Sequence, residues 1–139
     1  MAPHTYREEP VIASIQGRLQ PDHYFPDVRY LLLLTAAHFY MLEPEYDGSF
    51  TEQLALPLGQ VRGMERIVFQ TAGHKAIHLL FFFLAGALSS SPDVLRADEL
   101  EILLEYPPGS SHRVRFAELA GSMDQFLRTF RELREETAL

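Results

Sequence analysis

The clearest alternation of apolar and polar side chains lies in the last forty residues. Residues 99–106 alternate acidic and apolar side chains at period two, which is typical of a strand with one buried face. Residues 107–111 read Pro-Pro-Gly-Ser-Ser and interrupt the pattern, and residues 112–116 alternate again. The pattern predicts a β-hairpin with its turn at residues 107–111.

Beyond Gly121 the apolar positions change to helical spacing. Ser122 and Gln125 have the spacing of a capping box, in which a hydroxyl and a side-chain amide satisfy free backbone groups. The following apolar residues share one face of a helix. They are Met123, Phe126, Leu127, Phe130 and Leu133. We therefore predict an amphipathic helix over residues 123–136, which packs on a sheet because it is not stable alone in water.

Upstream, two further apolar blocks predict strands. Residues 11–19 follow Pro10 and predict the first strand, and two prolines bracket a loop at residues 20–27. Residues 30–42 are apolar almost throughout, which favours two strands separated near residues 35–38. A single helix over residues 27–43 is the alternative, because continuous apolar runs fit both structures.

The middle of the chain combines a turn signal with alternation. Asp47 and Gly48 form a dipeptide typical of a hairpin turn. Leu54, Leu56 and Leu58 then alternate with other residues, and the intervening Pro57 indicates an edge strand or a strand end. Residues 74–86 predict a strand with both faces apolar, and a short buried helix is the alternative.

These elements predict one α+β domain over residues 1–139, with its core at about residues 10–136. The predicted architecture is a mostly antiparallel, curved sheet or partly open barrel with a C-terminal amphipathic helix.

Two sequence phrases resemble the pleckstrin-homology-like superfamily, in its bacterial and GRAM-type versions. Residues 30–42 match its leucine-rich strand, turn and strand phrase, and residues 56–65, Leu-Pro-Leu-Gly-Gln-Val-Arg-Gly-Met-Glu, match a second phrase. The final hairpin and helix match the family's ending, although residues 89–97 form a longer insertion than a compact member needs. The resemblance covers about residues 11–136 and implies a binding scaffold rather than an enzyme.

The same resemblance bears on lipid binding. Phosphoinositide-binding members carry basic residues on the first two strands and the loop between them, and the counterparts here are Arg18 and Arg29. The loop between them carries Asp22 and Asp27, so its charge is wrong for an inositol phosphate. We therefore expect no phosphoinositide binding.

Composition narrows the class of protein. The net charge of −7 disfavours nucleic acid and anionic membranes as partners. The chain has no cysteine, which fits a reducing cytoplasm, and no apolar block long enough to insert into a membrane. Of the 12 basic residues only Lys75 is a lysine, and asparagine is absent, which suggests a bacterial protein. We expect a cytoplasmic location.

Few residues are candidates for chemistry. His74 and His78, four residues apart, share a face in a helix as metal ligands often do. A third ligand would have to come from elsewhere in the chain, for example His38 or Asp47. We interpret all of them as structural residues and predict neither a metal nor another cofactor. Residues 59–63 lack the lysine of a phosphate-binding loop.

The acidic strand is the other candidate. Glu99, Glu101 and Glu105 line one face and could perform acid–base chemistry. We interpret them instead as a solvated face that pairs with Arg113 and Arg115 across the hairpin. The sequence thus predicts no catalytic residue.

The resulting functional hypothesis is a non-catalytic binding or assembly module that acts through protein contacts. The alternative is a small-molecule-binding protein or enzyme with a pocket between sheet and helix, using His38, His74 or His78. The doubly apolar block at residues 74–84 further predicts a homodimer, since large apolar surfaces mark interfaces.

Overall fold

The computed structural model describes residues 3–68 and 98–137, which form a small hairpin, one larger sheet and a helix. The predictions for residues 74–86, including His74 and His78, lie outside the described residues. Strands β1 (Thr5–Tyr6) and β2 (Glu9–Pro10) form the N-terminal hairpin. The sheet contains β3 (Ala13–Leu19), β4 (Arg29–Leu34), β5 (His38–Pro44), β6 (Phe50–Pro57), β7 (Val61–Ile67), β8 (Glu99–Leu104) and β9 (His112–Ala120), and the helix α1 is Met123–Thr137.

The seven strands are arranged in the order β6-β5-β4-β3-β9-β8-β7, and every neighbouring pair is antiparallel. Strand β3 therefore joins the meander β3–β6 to the meander β7–β9. The edge strands β6 and β7 are connected by a short 3-10 turn, Leu58–Gln60. The sheet must therefore curl, so that the end of β6 comes close to the start of β7. It is not closed into a barrel. The predicted α+β class, antiparallel sheet and C-terminal helix are confirmed.

The leucine-rich block at residues 30–42 forms two strands, and the alternative of one helix is wrong. Thr35 makes the turn between them, with its Oγ1 atom accepting a hydrogen bond from the backbone N–H of His38 at 3.0 Å. Both faces of β4 are buried, which explains why its pattern is continuous rather than alternating. Leu32 and Leu34 face the main core, whereas Leu31 and Leu33 belong to a second apolar cluster.

The predicted hairpin and helix meet in the main core. Leu100, Ile102 and Leu104 of β8 are buried on the same side as Val114 and Phe116 of β9. The helix buries its predicted stripe against this side, at Phe126, Leu127, Phe130 and Leu133. Its N-terminus is capped as predicted by Ser122, whose Oγ accepts from the backbone N–H of Gln125 at 3.1 Å.

The charged face of the β8–β9 hairpin is only partly as predicted. Arg115 pairs with Glu101 at 2.9 Å between Nη2 and Oε2, which confirms the cross-strand pairing. The prediction of a solvated acidic face is wrong for Glu99 and Glu101, whose side chains are 3% and 12% exposed. The alternating pattern places these acids on the face of the sheet that lies opposite the core. It cannot reveal that this face is also covered. Glu105 pairs with Arg62 instead.

Strand β9 carries an irregularity where it pairs with β3. The register shifts between Gln16 and Arg18, which places one extra residue of β9 opposite β3 in a bulge. Glu118 within this bulge has a φ of 51°, in the left-handed region. A Cβ atom at Gly17 would lie 2.6 Å from Leu119 Cδ2 and 3.0 Å from Phe116 Cβ. A side chain at this position would therefore press on Phe116 and displace the end of Leu119, which favours glycine where the two strands approach.

We expect Gly17→Ala to lower the free energy of unfolding by about 1–2 kcal/mol, because the added methyl group overpacks the β3–β9 contact. Urea unfolding followed by circular dichroism measures the change. Gly63→Ala is the matched control, since Gly63 also lies in a strand but no atom is within 4 Å of the place that a Cβ atom would occupy there. Equal stability of Gly17→Ala and the parent chain would contradict the packing argument.

Candidate functional site

Of the three candidate histidines, His38 lies within the described part of the chain. It begins β5, and its Nδ1 atom lies 3.1 Å from Oε1 of Glu9. Its ring stacks on that of Tyr40, with 5.6 Å between the centroids. Glu9, Thr35, His38 and Tyr40 form a polar group that we name the Glu9 cluster.

The carboxylate of Glu9 is the centre of this cluster. It accepts hydrogen bonds from Thr35 Oγ1 and, at 2.8 Å, from the hydroxyl of Tyr40. Thr35 and Tyr40 are both buried. Burial, together with the hydrogen bond to Glu9, raises the pKa of Tyr40 to about 12, so its hydroxyl remains a donor at neutral pH.

The pKa of Glu9 lies below its ordinary value. Burial of the carboxyl group works to raise this pKa, but hydrogen bonds from Thr35, His38 and Tyr40 outweigh it. A carboxyl group whose pKa is lower in the folded state stabilises the fold above its unfolded pKa. That stabilisation is lost as the pH falls through the folded pKa. The Glu9 cluster thus stabilises the fold most at neutral pH, and this stabilisation is lost in acid.

The position of the Glu9 cluster indicates a structural role. It attaches the N-terminal hairpin to β5 and to the turn that precedes β5, beside the ring contact of Tyr6 with Tyr40 at 4.6 Å between centroids. Tyr6 also donates a hydrogen bond to Glu52 of β6 at 2.8 Å. The hydrogen bonds of Glu9 and Tyr6 join the hairpin to distant parts of the chain, as in a docking contact rather than an open reaction site.

We expect Glu9→Gln to lower the free energy of unfolding by about 1–3 kcal/mol at neutral pH, because a neutral amide cannot accept all the hydrogen bonds of the carboxylate. Urea unfolding at neutral and acidic pH measures this effect. The loss should shrink in acid, where Glu9 itself becomes protonated.

Glu8→Gln is the control, because it makes the same chemical change at an exposed neighbour in the same hairpin. A loss for Glu9→Gln that matched Glu8→Gln, or that grew as the pH fell, would contradict the assigned role of Glu9.

A second group of residues lies where the β3–β4 loop meets the β8–β9 turn. Its members come from both loops and from the first residue of β9, and we name them the aromatic loop cluster. They are Asp22, Tyr24, Phe25, Tyr106 and His112. Phe25 is 5% exposed and belongs to the main core, so it fixes the loop to the body of the protein.

Asp22 orders this loop from within. Its Oδ1 atom accepts from the backbone N–H of Tyr24 at 2.8 Å and of Phe25 at 3.2 Å, which is an Asx-type turn. Its Oδ2 atom lies 2.6 Å from Nε2 of His112, and both side chains are mostly buried. One carboxylate therefore connects the β3–β4 loop to the start of β9.

Tyr24 differs from the rest of the cluster because its side chain stays accessible. The residue is 51% exposed, yet its ring contacts two others edge-to-face. The centroid distances are 4.8 Å to His112 and 5.9 Å to Tyr106. The cluster therefore presents an aromatic ring to solvent in a fixed orientation.

Sequence patterns contain little indication of the aromatic loop cluster. Asp22 and His112 are far apart in the chain, and no local pattern relates them. The prolines that bracket residues 20–27 indicated a loop, but not its contact with the β8–β9 turn. A signal was present in the Asp-x-Tyr-Phe order, since Asp often accepts from the backbone two residues on.

The remaining candidate residues lie away from both clusters. Arg18 and Arg29 are paired in register on β3 and β4, and Arg29 donates to the carbonyl of Glu118 at 2.8 Å. The carboxylate of Asp47 accepts from the N–H of Ser49 at 3.0 Å within the β5–β6 turn. Among residues 3–68 and 98–137, no group of three or more His, Asp or Glu side chains is placed to hold a metal ion.

Comparisons with known proteins do not assign this chain to a family. Neither the models of known protein families nor the curated protein sequences give a match to this chain. Within the part of the chain that the structure describes, no helix has the length and apolar character needed to cross a membrane.

Proposed function

We propose that this protein is a non-catalytic binding module that contacts a protein partner through the aromatic loop cluster. The observation that carries the proposal is Tyr24, a half-exposed ring held by Tyr106, His112 and the turn at Asp22.

A fixed, exposed tyrosine suits a protein interface for energetic reasons. Tyrosine is enriched among the few residues that dominate binding energy, because it offers a large apolar area and a polar hydroxyl. Ordering a side chain at an interface costs roughly 0.5–1.5 kcal/mol, and a ring already held in place avoids part of this cost. The contacts of Tyr24 with His112 and Tyr106 provide that order before any partner binds.

Tyr46 provides the contrast within the same chain. It is fully exposed at the β5–β6 turn, and the aromatic contacts of the described residues do not include it. Exposure alone therefore does not distinguish Tyr24. Single exposed apolar residues are ordinary at protein surfaces. The feature that distinguishes Tyr24 is the fixed orientation of its ring.

The resemblance to the pleckstrin-homology-like superfamily supports the same proposal, and we retain it as an interpretation. A seven-stranded antiparallel sheet followed by a C-terminal helix is compatible with it. A scaffold of this kind binds through its loops, although a fold alone does not define a function. A cytoplasmic location and a homodimer also remain proposals.

The alternative of a small-molecule site at His38 has less support. The imidazole of His38 lies in the Glu9 cluster, where its Nδ1 atom is beside the carboxylate that attaches the N-terminal hairpin. The contacts around His38 are therefore explained by the attachment of the N-terminal hairpin to the sheet.

The proposal is tested by capture of partners from an extract of the source organism on the immobilised protein, with quantitative mass spectrometry. We expect Tyr24→Ala to reduce recovery of a specific partner by about tenfold, equivalent to about 1.4 kcal/mol. Tyr46→Ala is the matched control and should recover the partner as the parent chain does.

Asp22→Ala adds a test of orientation, because it leaves Tyr24 in place but removes the acceptor that orders its loop. We expect an intermediate loss of recovery. Equal recovery by Tyr24→Ala and Tyr46→Ala would show that the aromatic loop cluster is not the binding surface.

A further inference from the structure

The N-terminal hairpin has little structure of its own to keep it ordered. Its two strands have two residues each and pair with each other in a sheet separate from the main one. Its turn places Arg7 and Glu8 at φ values of 51° and 66°, in the left-handed region that costs free energy for residues other than glycine. Since a two-stranded hairpin is marginally stable alone in water, its order depends on its contacts with the main sheet.

The hairpin lies on the outer face of the sheet, which is the face opposite the main core. This face carries the second apolar cluster, and Tyr6 and Val11 pack against that cluster from outside the sheet. The buried members of the cluster are Leu31, Leu33, Tyr40 and Leu42. The hairpin thus covers part of an apolar surface.

The carboxylate of Glu9 attaches this cover to the sheet. It accepts hydrogen bonds from Thr35 and Tyr40 and lies 3.1 Å from Nδ1 of His38. Burial works to raise the pKa of Glu9, but these hydrogen bonds hold it below its ordinary value. An ionised carboxylate accepts hydrogen bonds more strongly than a neutral carboxyl group, so protonation of Glu9 weakens the attachment.

A second carboxylate, that of Glu52 on β6, faces the same hairpin. It accepts a hydrogen bond from the hydroxyl of Tyr6 at 2.8 Å and pairs with Arg7 at 2.9 Å between Oε2 and Nη2. Protonation of Glu52 removes the charge that Arg7 pairs with. Both polar attachments of the hairpin therefore depend on ionised carboxylates.

The other titratable groups beside Glu9 do not replace its charge in acid. Tyr40, whose pKa burial and the bond to Glu9 raise to about 12, stays neutral. Histidine gains a positive charge on the way to acidic pH, and such a charge on His38 favours the contact with Glu9 only while Glu9 remains ionised. Glu8, the neighbouring acid of the turn, is exposed. Acid therefore weakens the attachment as Glu9 becomes protonated.

The backbone marks the boundary between the cover and the sheet. The N–H of Val11 donates to the carbonyl of His4 within the hairpin at 2.9 Å, whereas that of Ile12 donates to the carbonyl of Leu34 at the end of β4 at 2.8 Å. Side chains hold residues 4–11 on the sheet, and backbone hydrogen bonds hold the chain from residue 12 onward.

We propose that residues 4–11 form an acid-released cover, which leaves the second apolar cluster when Glu9 and Glu52 lose their charges while the main sheet stays folded. The sheet does not share this dependence, because backbone hydrogen bonds join its strands and its main core is apolar. The proposal is independent of the aromatic loop cluster, since it uses other residues.

The absence of cysteine from the chain allows a single reporter thiol to test this proposal. Leu33→Cys places the thiol in the second apolar cluster. Leu32→Cys is the matched control, because it places the thiol one residue away on the same strand but in the main core. Both leucines are fully buried. The rate of reaction with a pyridyl disulfide reagent is measured at each pH and divided by the rate for the same variant unfolded in urea.

We expect the rate at position 33 to rise about tenfold more than the rate at position 32 between neutral pH and about pH 4, the effect of losing one charge-assisted hydrogen bond. Equal rises at both positions would overturn the proposal, because the whole chain would then open. An unchanged rate at position 33 would also overturn it, because the cover would then stay in place.

Glu9→Gln in the Leu33→Cys chain removes the charge without acid. We expect it to raise the rate at position 33 at neutral pH and to reduce the further rise in acid. Glu8→Gln is the matched control, because it makes the same change at the exposed neighbour and should leave the rate unaltered. Equal effects of the two substitutions would contradict the role of Glu9 as the attachment.

Hydrogen exchange of the parent chain repeats the test without a reporter, so it applies even if a cysteine variant fails to fold. Its rates are corrected for the intrinsic effect of pH on amide exchange. The amide of Val11 should lose protection at about pH 4, whereas the amide of Ile12 should keep it. Loss of protection at both amides, or at neither, would overturn the proposal.

Discussion

The structure depends on the double pairing of β3, which hydrogen-bonds to β4 on one side and to β9 on the other. Without the β3–β9 pairing, the meanders β3–β6 and β7–β9 would be two separate small sheets joined by loops. Gly17 and the bulge in β9 favour this pairing, because a side chain at position 17 would press on Phe116 and Leu119 of β9. Burial of one continuous apolar core follows from it.

The two faces of the sheet are covered by different means. Helix α1 covers the inner face with a purely apolar stripe, at Phe126, Leu127, Phe130 and Leu133. The N-terminal hairpin contacts the outer face with fewer apolar residues and with the partly buried carboxylate cluster at Glu9. Apolar packing tolerates small shifts, whereas the hydrogen bonds of a partly buried polar network depend on its geometry. Compared with the helix, the hairpin is therefore held by more directional contacts and by less apolar packing.

Local periodicity predicted most of the elements but not the contacts between them. The strand pair at residues 30–42, the final hairpin and the capped helix each show an apolar pattern that is visible within one short segment of sequence. The N-terminal hairpin was missed because its strands have two residues each and its turn uses Arg7 and Glu8 at positive φ, where glycine or asparagine is the usual signal. Burial of Glu99 was missed because alternation shows which face a residue takes, not what covers that face.

The candidate site could not be predicted for a related reason. His112 and Asp22 meet only because β3 and β9 are neighbours in the sheet, a fact of topology that appears in no short segment. The orientation of Tyr24, on which the proposed function depends, is thus a consequence of the same pairing that joins the two meanders. A rigid sheet positions the loops, and the loops position the ring.

Native-state hydrogen exchange, resolved residue by residue, tests this dependence most directly. If β3 joins the two meanders, amides of β3, β4 and β9 should exchange only with global unfolding and share one free energy. The loop amides of Tyr24 and Phe25 should also be protected, because Asp22 accepts their hydrogen bonds. Exchange of β4–β6 at a clearly different free energy from β7–β9 would contradict the account, since the two meanders would then unfold independently.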